Sequence, residues 1–157
     1  MIISNQDIFI PFYNNKKLPK NFVISDINYF CPKIETVKNI IYPAYVWWLR
    51  SLKLTQWTHK WDCDNFADAF KLFSCGYHAQ NLQDDSEGIG IGVINYIANS
   101  KAENELKGGH AINIIYAEGE KNDDGSDNFN IYFIEPQNGK LYQLTQEEFD
   151  SIWTVYI

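Results

Sequence analysis

Three residues in this 157-residue chain have the types and places needed for thiol chemistry: Cys63, His110 and Glu135. A thiolate is a strong nucleophile, an imidazole can take its proton and return it, and a carboxylate behind the imidazole holds the useful tautomer. Cys63 opens "CDNFADAF" just after Asp62, a residue type suited to capping a helix, so it belongs in a first helical turn. There the free N–H groups and the helix dipole favour a thiolate.

His110 and Glu135 lie in "HAINIIYA" and "FNIYFIE", two strand-like runs joined by the polar "EGEKNDDGSDN". Read as a hairpin with Tyr116 opposite Phe129, they place Ile114 opposite Ile131, Ile112 opposite Phe133 and His110 opposite Glu135. Side chains alternate along a strand, so His110 then shares an apolar face with Ile112, Ile114 and Tyr116. The cover expected for that face is the Cys63 helix, whose stripe is Phe66, Ala67, Phe70 and Phe73.

The elements that must position these residues follow from periodicity and turn signals. The first stretch, with Pro11, Pro19 and "YNNKKLPK", reads as irregular with short extended pieces. Residues 34–54 repeat apolar side chains at helical spacing, with Pro43 splitting or kinking the helix. The Cys63 helix runs to a stop at Gly76. "GIGIGVINYI" reads as a strand whose glycines let another backbone come close, with a helix as the competing reading of its second half. A "PQNG" turn, a strand "KLYQL", a helical turn in "TQEEFD" and a final strand "IWTVYI" complete the chain.

At this point "WDCDNFADAF", "GGHAINIIY" and "FIEPQNGKLYQL" resemble the active-site segments of the transglutaminase-like branch of the papain-like cysteine enzymes, over about residues 60–145. The resemblance implies an α+β fold of papain-like/transglutaminase-like type, a catalytic-type helix packed on an antiparallel sheet with an N-terminal helical part. It implies one domain over 1–157, divided into an irregular and helical part at 1–55 and a core helix and sheet at 60–157. The activity it implies is cysteine-dependent acyl transfer on an amide of a protein or peptide, through a Cys63-His110-Glu135 triad. Peptidase, amidase, deamidase and transamidase outcomes all fit. An oxyanion hole formed by the Cys63 N–H and an upstream donor is implied as well. Gln56 is the first choice for that donor, with Trp57 or Trp61 behind it. Glutamate stands where the family usually has aspartate. The rival reading is a catalytically inactive binding or inhibitory protein on the same scaffold.

Other chemistry is less well matched. His59 with Cys63, and Cys75 with His78, have ligand-like spacings, but a closed zinc site would consume Cys63 and no CxxC pair is present. "NDDGSDN" lacks the closing glutamate of a calcium loop, and "GIGIG" lacks the spacing of a phosphate cradle. No metal or cofactor is expected.

The composition sets the bounds. Hydrophobic residues make up 45% and charged ones 21%, the profile of a single globular domain. A formal net charge of -7 argues against a nucleic-acid partner, which calls for a basic footprint. No long apolar run or signal-like N-terminus is seen, so neither a membrane span nor secretion is expected. Three cysteines without a framework spacing fit reduced thiols in a cytoplasm. Abundant Asn, Ile, Lys and Tyr fit an A/T-rich genome, bacterial or phage.

Overall fold

The computed structural model describes residues 1–15, 17–81, 85–99 and 108–157. In chain order the elements are β1 (Ile2–Ser4), α1 (Asn5–Asn14), β2 (Asn21–Val23), β3 (Asn28–Phe30), α2 (Ile34–Thr36), a π-helical turn (Val37–Ile41) and α3 (Tyr42–Leu52). They continue with α4 (Cys63–Asn81), β4 (Gly88–Ile89), β5 (Ile91–Ala98), β6 (Gly108–Glu118), β7 (Phe129–Ile134), β8 (Leu141–Tyr142), α5 (Gln146–Asp150) and β9 (Thr154–Tyr156).

The strands form two sheets, one in the order β1-β3-β4 and one in the order β2-β9-β5-β6-β7-β8. Both are mixed, because β3 runs parallel to β4 and β2 parallel to β9. The expected antiparallel sheet is corrected on this point. The reason is that the N-terminal stretch, expected to be irregular with short extended pieces, pairs those pieces as strands in both sheets. It also holds α1, where the Asp7 carboxylate accepts the Ser4 N–H at 2.8 Å and so caps the helix start. That cap sets the helix despite Pro11 inside it.

Residues 34–52 stay helical throughout. The π turn over Val37–Ile41 immediately precedes α3, so Pro43, which has no N–H to give to the preceding turn, lies where the helix passes from π to α winding. Trp47 is 72% exposed, while its neighbour Trp48 packs against Tyr45 and Phe73. Helix α4 runs through Gly76 to Asn81 instead of stopping. An isolated glycine lowers helix stability by only ~1 kcal/mol, too little to end a helix held by packing.

The hairpin of β6 and β7 forms, with Tyr116 opposite Ile131 and Glu118 opposite Phe129. This register is displaced by two residues from the expected one, because β6 continues to Glu118 and Gly119 still bonds to the Asn128 carbonyl. An even displacement keeps every side chain on its expected face. Which helix covers which face was expected wrongly. Helix α4 packs on Ala111, Ile115, Ala117 and Ile134 through Phe66, Ala67 and Phe70. Ile112, Ile114 and Tyr116 lie beneath α1 and the segment around α5, packed with Ile8, Phe12 and Ile152. Strand β6 is buried on both faces, so its hydrophobic pattern does not distinguish them.

Candidate functional site: a buried imidazole between a thiol and a carboxylate

Cys63 is the first residue of α4. Phe66 N–H bonds to the Asp62 carbonyl, the first helical bond, and the Asn65 side chain accepts the Asp62 N–H at 3.1 Å. These contacts fix the helix start and leave the Cys63 thiol half-buried above Ala67, Val93 and Ala111.

His110 is the third residue of β6 and Glu135 the first after β7. They are 7% and 3% exposed, and His110 Nε2 lies 2.7 Å from Glu135 Oε2. Glu135 is held from behind. Its Oε1 accepts the Gln137 N–H, its backbone N–H donates to the Lys140 carbonyl, and its own carbonyl accepts the Gly139 N–H. Gly139, with φ of +73°, makes that turn possible, and a Cβ there would strike the Tyr42 ring. The rings of His110 and Tyr96, its partner on β5, meet edge to face at 5.9 Å between centroids.

The electrostatics follow from this placement. A hydrogen bond from His110 lowers the Cys63 pKa, burial opposes it, and the Ala111 N–H adds to the lowering. For His110, burial works against the charged form, but the hydrogen bonds and charges of Cys63 and Glu135 outweigh it and raise the pKa to about 9. With Nε2 committed to Glu135, Nδ1 is the nitrogen available to the thiol. The arrangement favours a thiolate–imidazolium pair. Just upstream, a hydrogen bond to Asp64 raises the Asp62 pKa, with desolvation and the neighbouring charge adding to it.

The structure therefore brings Cys63, His110 and Glu135 together. Gln56 and Trp57, expected to serve an oxyanion hole, are exposed on the segment between α3 and α4, with the Trp57 ring edge-on to His59. Trp61 is nearer to the helix start. Its ring packs on Phe66, and its buried Nε1 has no hydrogen-bond partner among the described residues. Tyr96 was not foreseen, because it reaches His110 through β5–β6 pairing, which the single hairpin did not include. Among the described residues, no group of three or more His, Cys, Asp or Glu side chains is placed to hold a metal ion. All three cysteines are free, and no described helix is long and apolar enough to cross a membrane.

A family model for the ricin-type beta-trefoil lectin C-terminal domain matches residues 4–156. The chain belongs to that family. Among solved structures it is similar to one described as a PSL1a-E64 complex, with a TM-score of 0.67, 20% identity, and coverage of 99% of this chain and 50% of that one. It is also similar to Polyporus squamosus lectin bound to the human-type influenza-binding epitope Neu5Aca2-6Galb1-4GlcNAc, with a TM-score of 0.68, 20% identity, and coverage of 99% of this chain and 49% of that one. The chain spans about half the length of these two chains. No curated protein matches it by sequence.

These findings correct the resemblance to the transglutaminase-like branch of the papain-like enzymes, and with it the fold assignment. The fold is the one shared with these two structures, with mixed sheets. They also correct the function drawn from that resemblance. Cysteine-dependent acyl transfer on an amide, by a peptidase, amidase, deamidase or transamidase, gives way to a lectin family, and so does the protein or peptide substrate. The rival reading of a binding protein comes nearer, although as an inhibitory protein it was not a lectin. The physical reason is that a cysteine opening a helix and a histidine opening a strand are local arrangements, and local arrangements do not define a family.

Proposed function

We propose that this protein is a module of a carbohydrate-binding lectin and that the module carries a reactive thiol. The observation that carries the lectin half is the family match over residues 4–156. One of the two similar structures holds a sialylated oligosaccharide, which supports an oligosaccharide as the partner here. The test is a glycan array probed with the labelled protein. Saturable binding that free oligosaccharide competes away is expected, and a folded protein that binds no glycan on the array would overturn the reading.

The thiol half rests on the buried 2.7 Å contact of His110 with Glu135 beside Cys63. Cys63 is the nucleophile, His110 the base that holds its proton, and Glu135 the carboxylate that orients the imidazole. Glycan capture then raises the effective concentration of this thiol at glycosylated surfaces. Labelling by iodoacetamide across pH, with the site assigned by mass spectrometry, tests this half. A Cys63 that stays unlabelled below pH 7 in the folded protein would refute it.

A further inference from the structure

We propose that Asn113 is a positioning residue that sets the separation of Cys63 from His110; this rests on the reactive-thiol reading above. Asn113 lies on β6, three residues after His110, and is 0% exposed. Its side-chain amide donates to the Ala67 carbonyl at 2.8 Å and to the Gly92 carbonyl at 3.0 Å. Ala67 is one helical turn beyond Cys63 on α4, and Gly92 is on β5. One amide therefore ties the first turns of the thiol-bearing helix to the strand that carries the imidazole and to its neighbour.

The surroundings give that tie its importance. Beneath Cys63 the helix meets the sheet through Ala67, Val93 and Ala111, small and apolar side chains that permit close approach but supply no direction. Hydrogen bonds are directional, and Asn113 places two of them at this contact. The amide also carries a cost, since its Oδ1 is buried with no hydrogen-bond partner among the described residues. An orphaned buried acceptor is destabilising, so a leucine of similar volume would fill this space better if filling were all that mattered. What leucine cannot do is donate to Ala67 and Gly92. With those bonds gone, the start of α4 is left to apolar packing and to the exposed bond from the Tyr156 hydroxyl to the Asp68 carboxylate, and a displacement of about 1 Å is enough to cost a reacting pair ~100-fold in rate.

The experiment compares Asn113→Leu and Asn113→Ser with the parent protein, reading the pH midpoint of Cys63 alkylation alongside near-ultraviolet circular dichroism. Asn113→Leu removes both donors at similar volume, and Asn113→Ser guards against a variant that fails to fold. Each is expected to raise the midpoint by about one unit or more, which lowers labelling at acidic pH about tenfold. A packing role alone would lower the unfolding temperature without moving that midpoint. Folded variants with the parent's midpoint overturn this proposal while leaving the reactive thiol intact. A parent protein whose Cys63 already titrates like a free thiol overturns the reactive thiol itself.

Discussion

At the residue scale, His110 is pulled in opposite directions. Burial disfavours the imidazolium, and the Cys63 and Glu135 contacts favour it strongly enough to raise its pKa to about 9. A raised folded-state pKa stabilises the fold fully below the unfolded value of about 6.5, and that stabilisation is lost as pH rises through about 9. The deficit of Glu135→Gln in urea unfolding relative to the parent is therefore expected to be larger at pH 6 than at pH 9.5; an equal deficit at both would contradict the assignment. His110→Ala is expected to move the Cys63 alkylation midpoint up toward about 8.5 and to slow labelling at pH 6 at least tenfold. Cys31 supplies an internal control. Burial pushes its thiol up to about 12, so mass spectrometry is expected to find Cys63 alkylated and Cys31 untouched in the folded protein. The meeting of His110 with Glu135 was legible in the sequence because strand alternation depends on parity, and the true register differs from the expected one by an even number. The tie through Asn113 was not, since it depends on which face of β6 receives α4.

At the element scale, α4, β6, β7, α5 and β9 were legible because each has a clear period bounded by turn or capping residues. Helix α1 was hidden behind Pro11 and polar neighbours, and the pairing of β2 with β9 spans more than a hundred residues, beyond any local signal. Gly92 shows what the glycine-rich strand is for. A Cβ there would lie 2.5 Å from Ile157 Cγ1 and 2.7 Å from the Tyr156 carbonyl oxygen, so β5 and β9 can pair only because the position is bare. Gly92→Ala is expected to destabilise the protein by roughly 1–3 kcal/mol, read from the urea midpoint, as overpacking does elsewhere. On the opposite flank, the Tyr45 hydroxyl donates to the Phe66 carbonyl at 3.1 Å, joining α3 to α4. Tyr45→Phe is expected to cost about 1 kcal/mol by the same measurement.

At the scale of the whole molecule, the sequence motifs led to the wrong family while placing three side chains together, because families are defined by whole chains and the motifs occupy short segments. The match to lectin C-terminal domains runs over residues 4–156, including the N-terminal third that local reading left almost blank. One consequence of the sheet order concerns synthesis. Strand β9 lies between β2 and β5, and Ile157 N–H donates to the Val23 carbonyl. A ribosome makes residues 154–156 after every other described strand, so a nascent chain paused before Thr154 leaves β2 and β5 with open edges facing a gap one strand wide. The sheet that carries the thiol site can be completed only after those residues have cleared the exit tunnel.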